Sequence, residues 1–487
     1  MATEQETSPA IPLYEALATQ VADLVSKGVL TAGRRAPSLR KIAAQHGVSL
    51  STALQAYRLL EDRGLLEARP KSGFFVTHHR SSRRAAPAMS EPSVRAYDVR
   101  LGTGITDLLE HAANPDFAPL GCAIPSAELL AAGQLDRFLA RAARTKGTRY
   151  NVYTEPRGDS DLRLSICRRA ARHGQVLSPS ELAITCGCTE AITLALQTVA
   201  KRGDTIAIES PTYFGMLQIL QANGFRALEL ATHADRGIDL AALETALGSG
   251  KVAACLLSSS FNNPLGSLTP DDSKRAIIEI LSRHRVPLIE DDIYGDIHFG
   301  RDRPKPFTAL APDADILYCS SFSKTVAPGY RIGWIAAPRR IDAILNAKFA
   351  STLCGPALPQ LALADYLESG GYDSHLRRIR RAFANNIDHM TRAIDIAFPA
   401  ETRVTKPSGG FVLWLEMPKD IDTLVLYEQA LAERICFAPG SVFSATGRYR
   451  HCLRLSCGSD WNDRLERSVA RLGTIAADLI ASSPAAA

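Results

Sequence analysis

The sequence predicts a multidomain protein: a mostly helical winged helix-turn-helix at the N-terminus, followed by a larger α/β domain with a smaller C-terminal subdomain. The 487 residues exceed the length of one ordinary domain. Apolar residues recur at helical spacing near the N-terminus, whereas short apolar strands alternate with amphipathic helices from about residue 98. We therefore expect the first domain at residues 10–77, a linker at 78–97 and the α/β domain at 98–480, with its smaller subdomain at about 370–480.

Composition predicts a globular protein without a membrane partner. Hydrophobic residues make up 46% of the chain and charged residues 22%. No apolar run approaches the ~20 residues that span a bilayer, and the polar N-terminus lacks a secretory signal. The ten cysteines form neither a CxxC pair nor a zinc-ligand pattern. We expect reduced thiols, no metal site and a cytoplasmic location.

Positive charge is concentrated at the N-terminus. Residues 1–84 contain 12 Lys and Arg against 7 Asp and Glu, whereas the rest of the chain contains 44 of each kind. The formal net charge of +5 therefore arises in the first sixth of the chain. Such an asymmetry favours a polyanion as the partner of this segment.

Three helices and a hairpin make up the predicted N-terminal domain. Apolar residues recur at helical spacing within residues 12–27. Ser38 can cap a second helix that ends at Gly47, and Ser49 can start a third, recognition helix. Residues 65–76 follow as a short hairpin.

The recognition helix and its neighbours offer side chains for double-stranded DNA. Tyr57 and Leu60 point toward the core, which leaves Ser51, Gln55 and Arg58 on a polar face. Polar groups at the start of such a helix suit base or phosphate contact, and cations suit phosphate. The predicted DNA-binding residues are Ser38, Arg40, Lys41, Ser49, Ser51, Thr52, Gln55, Arg58 and Lys71.

In the α/β region, polar loops follow the predicted strands. The strand-like stretches "LAIT", "TIAIE", "VAACLLSS", "VPLIEDD" and "ADILYCSS" run into "CGCTE", "SPTYFG", "SFNNPLG", "DIYGD" and "SFSK". Ligands of open α/β sheets bind beyond the carboxyl ends of the strands. We therefore expect these five loops to share one crevice.

The side chains of these loops suit a phosphorylated aldehyde cofactor with a pyridine ring. Lys324 offers the amine for a Schiff base, and Asp291 offers an anion for the ring nitrogen. Tyr294 and Asn263 can donate to a ring oxygen, and Tyr213 can stack on the ring. Hydroxyls, an arginine and the N–H groups of a helix start suit the phosphate. The cofactor candidates are Lys324, Asp291, Tyr294, Asn263, Tyr213, Gly187, Cys188, Thr189, Ser321, Ser323 and Arg331.

Residues from about 100 to 480 resemble a fold-type I aminotransferase, a family that uses pyridoxal 5′-phosphate (PLP). The matching motifs are "YTEPRGDSDLR", "GCTEAI", "PTYFG", "NNPLG", "EDDIYGD", "SSFSK", "RIGW" and "LRLSC". The resemblance implies that Lys324 is the catalytic lysine, which carries PLP as an aldimine, and that Arg454 binds the carboxylate of a substrate or effector. It also implies a homodimer in which Tyr153 reaches the phosphate of the partner subunit.

Residues 33–77 resemble the GntR-type winged helix, and the chain as a whole is similar to the MocR-type subgroup of GntR-family regulators. One position departs from the family pattern, because Leu50 stands where an arginine often follows the serine that opens the recognition helix. The resemblance implies a PLP-dependent transcriptional regulator that binds operator DNA and senses an amino acid, an amine or PLP.

Two other functions stay open from the sequence. Since all the expected catalytic residues are present, the chain can be an active aminotransferase with an accessory DNA-binding domain. It can also be a sensor of the cofactor itself, one that controls the supply of PLP.

Overall fold

The computed structural model of the chain describes residues 12–31, 33–62, 65–69, 72–76, 84–99, 104–145, 147 and 151–482. Contacts between residues divide the chain into two compact units, an N-terminal unit of residues 1–81 and 299–301 and a large unit of residues 82–298 and 302–487. No helix within the described ranges is both long and apolar enough to cross a bilayer.

The N-terminal unit is a winged helix-turn-helix, which confirms the predicted fold. Its elements are α1 (Leu13–Ser26), α2 (Leu39–His46), α3 (Leu50–Asp62), β1 (Leu66–Arg69) and β2 (Gly73–Val76). The Ser38 hydroxyl accepts from the Lys41 N–H at 3.3 Å, and the Ser49 hydroxyl accepts from the Thr52 N–H at 3.1 Å, so both serines cap their helices. Gly47 ends α2 in the left-handed conformation, with φ 64°.

Tyr57 fixes α3 within this unit. Its side chain is fully buried, its hydroxyl donates to the Pro37 carbonyl at 2.9 Å, and its ring meets that of Phe74 edge-on at 5.2 Å. The inward face predicted for the recognition helix is therefore the face that packs, and the polar face stays free.

The large unit contains the remaining α-helices and strands of the described chain. Its helices are α4 (Gly104–Ala113), α5 (Ala132–Thr145), α6 (Ser160–Ala171), α7 (Cys188–Val199), α8 (Phe214–Asn223), α9 (Leu240–Gly248), α10 (Asp271–His284), α11 (Phe307–Leu310), α12 (Ile341–Ser351), α13 (Ala357–Glu368), α14 (Gly371–Ala397), α15 (Thr423–Ala432) and α16 (Asp463–Ser482). Its strands are β3 (Ala96–Asp98), β4 (Ala118–Leu120), β5 (Leu182–Thr185), β6 (Thr205–Ser210), β7 (Arg226–His233), β8 (Gly237–Ile238), β9 (Val252–Leu257), β10 (Leu288–Asp291), β11 (Ile316–Ser321), β12 (Gly333–Ala336), β13 (Arg403–Val404), β14 (Val412–Glu416), β15 (Ile435–Pro439) and β16 (Cys452–Ser456).

A mixed sheet, ordered β3-β7-β6-β9-β10-β11-β12-β5, forms the centre of the large unit. The strands from β7 to β11 run parallel, whereas β3 and β12 run against their neighbours. All six residues of β6 are buried, because helices cover both faces of a parallel sheet. The carboxyl ends of β5, β10 and β11 consequently lie at one edge.

A second sheet, ordered β13-β14-β16-β15-β4, forms the smaller subdomain. Its edge strand β4 pairs in parallel with β15, which places Leu120 opposite Phe437. The helix α4 packs beside it, with Leu108 fully buried. The subdomain therefore extends beyond the predicted residues 370–480, because the segment 104–120 joins it from much earlier in the chain.

The linker is shorter than the predicted range of 78–97. Arg84 already donates hydrogen bonds to the carbonyls of Ile394 and Phe398, and Ser90 exchanges hydrogen bonds with Thr232. The strand β3 then pairs with the sheet edge. Residues 84–98 lack hydrophobic periodicity because they bind through backbone pairing and polar groups, and they belong to the large unit.

Candidate functional site

The carboxyl ends of the central strands bring the predicted cofactor residues to one edge of the sheet. Lys324 follows β11, Asp291 ends β10 and Cys188 begins α7 after β5. Lys324 interacts electrostatically with Arg454, Asp291 and Arg331. Segments that are far apart in sequence therefore meet where the polar loops predict a crevice.

Lys324 is a partly buried amine in a positive environment. Its Nζ donates to the Ala123 carbonyl at 2.6 Å. Burial, followed by the charge of Arg454, lowers the pKa of Lys324 to about 8, although the Asp291 carboxylate acts in the opposite direction. A sizeable neutral fraction near this pH makes the amine a competent nucleophile.

Asp291 is a buried carboxylate held by a thiol. Cys188 Sγ donates to Asp291 Oδ1 at 3.3 Å. Burial raises the pKa of Asp291 to about 6, and the hydrogen bond from Cys188 partly offsets that rise by favouring the ionised form. A carboxylate in this position would gain from a cationic partner such as a protonated ring nitrogen.

The start of α7 and the segment after β11 form a narrow cradle. Gly187 precedes α7 with φ 82°, and Arg331 Nη2 donates to the Cys186 carbonyl at 3.1 Å. A Cβ at Gly187 would lie 2.5 Å from the Arg331 guanidinium, and a Cβ at Gly333 would lie 2.5 Å from the carbonyl carbon of Gly187. An arginine beside the unpaired N–H groups of a helix start suits a phosphate.

The hydroxyls predicted at the phosphate are arranged unequally. Ser321 and Ser323 are buried, with their oxygens 2.7 Å apart, and the Ser321 hydroxyl donates to the Ile332 carbonyl at 3.0 Å. Thr189 is exposed in the first turn of α7. The two serines therefore form the wall of the cradle, and Thr189 lies toward solvent.

Tyr294, Asn263 and Tyr213 approach the same crevice. Tyr294 is buried and hydrogen-bonded to the Asn263 side chain, and burial raises the pKa of its phenol. Asn263 Oδ1 is buried without a hydrogen-bond partner among the described residues. Tyr213 is 36% exposed and its ring covers Gly215, where a Cβ would lie 2.3 Å away. These groups leave polar and aromatic surface open to a ligand.

Arg454, on β16, is a buried guanidinium with few hydrogen-bond acceptors around it. Its side chain is completely buried, Nη2 donates to the Gly121 carbonyl, and the guanidinium carbon lies 5.5 Å from the centre of the Phe443 ring. Nε and Nη1 find no acceptor in the described part of the chain. Since a buried charge without partners is costly, the geometry calls for an anionic ligand such as a carboxylate.

Tyr153 is 84% exposed in the single chain. Its predicted role requires a partner subunit, so the chain by itself does not bring Tyr153 into the site.

Sequence reasoning missed the backbone groups of the loop after β4. The carbonyls of Gly121 and Ala123 hold Arg454 and Lys324, and a carbonyl leaves no residue-type signal. A Cβ at Gly121 would lie 2.5 Å from Cys436 Sγ, so a glycine after a short strand was the signal available. Gly333, inside the "RIGW" motif, is a second glycine at which a Cβ would lie too close to a neighbour.

The predicted DNA-binding face is open in the N-terminal unit. Ser38, Arg40, Lys41, Ser49, Ser51, Gln55 and Arg58 are exposed, and Thr52 is half-buried. Leu50, the departure from the family pattern, is 54% exposed at the start of α3. Lys71 lies outside the described residues.

Comparisons with known proteins agree with both units. The aminotransferase class I and II family matches residues 127–472, and the bacterial regulatory proteins of the gntR family match residues 13–76. The chain is 38% identical to YdcR of Escherichia coli, an uncharacterized HTH-type transcriptional regulator, over 95% of this chain and 98% of that protein. It is 30% identical to the 2-aminoadipate transaminase of Thermus thermophilus, over 77% of this chain and 94% of that protein.

A solved structure extends the likeness to the cofactor. The alpha-aminoadipate aminotransferase of Thermus thermophilus, complexed with N-(5′-phosphopyridoxyl)-L-leucine, has a TM-score of 0.72 at 30% identity and covers 78% of this chain and 96% of that one. Such a group fits the narrow cradle, the buried Asp291 and Asn263 Oδ1, which has no hydrogen-bond partner within the described ranges. The cofactor of the large unit is PLP, as the sequence predicted.

The close contact between Gly333 and Gly187 can be tested by substitution, with a second glycine as the control. Gly333→Ala would press on the carbonyl carbon of Gly187, and overpacking of this kind costs roughly 1–3 kcal/mol, or about 5- to 150-fold in PLP affinity if the strain falls on the loaded state. Titration of the apoprotein with PLP, followed by absorbance, measures the change. Gly329→Ala is the control, because its Cβ would meet nothing within 4 Å. Equal affinities for the two variants would show that the contact between Gly333 and Gly187 does not shape the phosphate site.

Proposed function

Because this chain belongs to the aminotransferase class I and II family and carries the regulatory domain of the gntR family, we propose that it is a transcriptional regulator with a ligand-sensing PLP site. The N-terminal unit binds operator DNA, and the large unit senses an amino acid, an amine or PLP itself. One observation carries this proposal: in a chain that also has an exposed recognition helix, Arg454 is buried beside Lys324, and two of its nitrogens have no partner among the residues that the structure describes.

The cofactor contributes an aldehyde that condenses with amines and a pyridine ring that withdraws electrons. Lys324 supplies the amine, and its lowered pKa keeps part of it neutral. Asp291 would hold the ring nitrogen, and Tyr294 with Asn263 would hold the ring oxygen. The α7 start and Arg331 would hold the phosphate.

Ligand selection falls to Arg454. A carboxylate can accept from Nε and Nη1 together, and such a two-point pair fixes orientation as well as charge. The effector that this geometry favours is therefore an α-amino acid, whose amine would meet Lys324. An amine without a carboxylate, or PLP alone, would leave Arg454 unpaired.

An active aminotransferase is the second candidate. The observation that favours it is that Lys324, Asp291 and Arg454 lie at one edge of the sheet with perturbed pKa values. An assay of amino-group transfer to 2-oxo acids separates the two functions, because a regulator needs binding and release without turnover.

A homodimer completes the proposal. Tyr153 is too exposed in one chain to serve its own site, and in the proposed dimer it would finish the phosphate site of the partner. Two DNA-binding units would then read two half-sites of an operator.

The pKa of Lys324 sets the pH dependence of PLP loading. The neutral amine is the reactive form, so the loading rate should rise roughly tenfold per pH unit below pH 8 and level off above it. Stopped-flow absorbance of the apoprotein with PLP between pH 6 and 10 measures the profile. Borohydride reduction followed by peptide mapping should place the cofactor on Lys324, and Lys324→Ala should lose that adduct. A rate that still climbs near pH 10, or an adduct on another lysine, would refute the assignment.

Arg454 should be needed for amino acids and dispensable for amines. Arg454→Ala should weaken the spectral response of the PLP-loaded protein to L-leucine by at least about 30-fold, since breaking a buried charged pair costs roughly 2–5 kcal/mol. The response to 3-methylbutylamine, the same side chain without the carboxylate, is the matched control and should change little. Arg454→Lys should rescue poorly, because lysine cannot form the two-point pair. Equal losses for both ligands would mean that Arg454 supports the fold and does not read the carboxylate.

DNA binding should depend strongly on salt. Arg40 is exposed at the start of α2 and suits a phosphate contact. Arg40→Ala should reduce the slope of log affinity against log salt by about one, uniformly across sequences. Lys27→Ala removes the same charge at the end of α1 and serves as the control. The measurement is a salt titration with a duplex that the unaltered protein selects from a random library, and identical slopes for both variants would contradict the predicted contact.

A further inference from the structure

The long helix α14 contacts the segment that carries Lys324. The Tyr372 hydroxyl lies 3.0 Å from both Thr325 Oγ1 and Asp296 Oδ2, and His375 Nε2 lies 2.5 Å from the Thr325 carbonyl oxygen. Thr325 follows Lys324 directly in the chain. A displacement of the backbone at Lys324 would therefore change the contacts of Thr325 with the first turns of α14.

The same helix contacts two more parts of the site further along. Phe383 stacks on Phe411 with ring centres 4.7 Å apart, and Phe411 meets Tyr294 edge-on at 5.6 Å. Asn386 Nδ2 donates to the carbonyls of Cys457 and Ser459, just beyond the strand that carries Arg454. The helix α14 therefore contacts the segments or side chains next to three groups of the site, namely Lys324, Tyr294 and Arg454.

Arg84 caps the far end of α14. Its Nη2 donates to the carbonyls of Ile394 at 3.0 Å and Phe398 at 2.9 Å. Its Nη1 donates to the Thr402 carbonyl at 3.2 Å, and its Nε pairs with Asp395 Oδ1 at 3.2 Å. The Arg84 side chain is only 8% exposed. The last carbonyls of a helix lack partners within it and carry partial negative charge, which a guanidinium satisfies.

Arg84 also marks where the chain from the DNA-binding unit joins the large unit. Residues 77–83 connect Val76, the end of β2, to Arg84. The 27 residues of α14 span about 40 Å at 1.5 Å per residue. Buried residues recur along the helix from Tyr372 to Ile394, so it packs against the large unit over most of its length. The first turns of α14 therefore lie beside the segment that carries Lys324. Its last turn is bound by Arg84, the residue that follows the connecting segment 77–83.

A cavity lies next to Thr325, the residue that follows Lys324. Besides Thr325, its lining includes Ala170 of α6, Phe322 and Trp334. Two polar atoms of its lining residues, Asp292 Oδ1 and Trp334 Nε1, are buried without a hydrogen-bond partner among the described residues. The segment that carries Thr325 is therefore less completely packed on this side than a protein core, where displacements are resisted.

We propose that α14 transmits the state of Lys324 to the DNA-binding unit, with Arg84 as the residue that couples the helix to the connecting segment. This inference rests on the proposed function and names its route of regulation. Lys324 Nζ donates to the Ala123 carbonyl at 2.6 Å. A cofactor that engages the amine would remove that restraint, and its release would restore it. Such a difference in contacts biases a packed helix between two positions.

Three variants test the route. Arg84→Gln removes the cap, Tyr372→Phe removes the hydroxyl at the opposite end, and Arg377→Gln removes the same charge from an exposed position on the same helix. The measurement is the affinity of each full-length variant, as apoprotein and after PLP loading, for a duplex selected by the unaltered protein. Loading should change the affinity of the unaltered protein about 5- to 150-fold, the range typical of coupled sites. Arg377→Gln should retain this change. Arg84→Gln should reduce it to less than about twofold, and Tyr372→Phe should lie between.

Hydrogen exchange gives an independent measurement. PLP loading of the unaltered protein should alter exchange in peptides covering residues 370–380 and 390–402, and also in the peptide containing residues 77–84. In Arg84→Gln the change should stop at residues 390–402, while the PLP affinity stays unaltered. Arg84→Lys, which keeps the charge and loses the fork, should behave like Arg84→Gln.

Each remaining outcome overturns the inference or the function beneath it. A PLP response in Arg84→Gln equal to that of Arg377→Gln would show that Arg84 only caps the helix. Loss of PLP affinity in Arg84→Gln would show that it supports the cofactor site. If the unaltered protein binds DNA equally with and without PLP, and exchange at residues 77–84 stays unchanged, the route from Lys324 fails. The response of the PLP-loaded protein to L-leucine then tests the sensing function separately.

Discussion

The ligand site of the large unit is built around the guanidinium of Arg454, which the fold buries away from water. Arg454 lies in the interior of β16, fully buried, and removing such a charge from water costs several kcal/mol unless partners replace the water. The Gly121 carbonyl and the Phe443 ring supply only part of that replacement. Because β4 pairs with β15 at the edge of the second sheet, the loop after β4 reaches Arg454 and Lys324. The joining of residues 104–120 to the smaller subdomain is therefore what builds the ligand site.

Arg454 and Lys324 are also linked through their charges. After burial, the charge of the guanidinium is the strongest influence that lowers the pKa of Lys324. A ligand carboxylate at Arg454 would cancel much of that influence, so the lysine would become more basic as the ligand binds. An amino acid thereby favours a protonated, displaced Lys324 through its carboxylate as well as its amine. A ligand without the carboxylate lacks this second effect, and the site can distinguish the two by charge alone.

The sequence predicted the parts of the structure that local chemistry determines. Strand–loop motifs such as the one ending at Asp291 combine an apolar run with a polar turn, and the family, the fold class and the cofactor inferred from them are confirmed. Arg84 was assigned to a linker, because a segment that binds through a guanidinium and edge pairing has no periodicity to detect. Its inclusion in the large unit also revises the charge asymmetry: residues 1–81 hold 10 Lys and Arg against 7 Asp and Glu, an excess of +3. The roles of the individual site residues remain predictions, and Tyr153 depends on a second subunit.

Arg84 can transmit a displacement of α14 only if its hydrogen bonds are stronger than the coupling free energy between the two sites. Coupling between two sites typically amounts to about 1–3 kcal/mol, and a connection can transmit that much only if it does not break first. A hydrogen bond involving a charged group contributes about 1.5–3 kcal/mol, and Arg84 makes several, including those to Ile394, Phe398 and Asp395. The cap is therefore stronger than the signal it would pass, so a displacement of α14 would carry Arg84 with it.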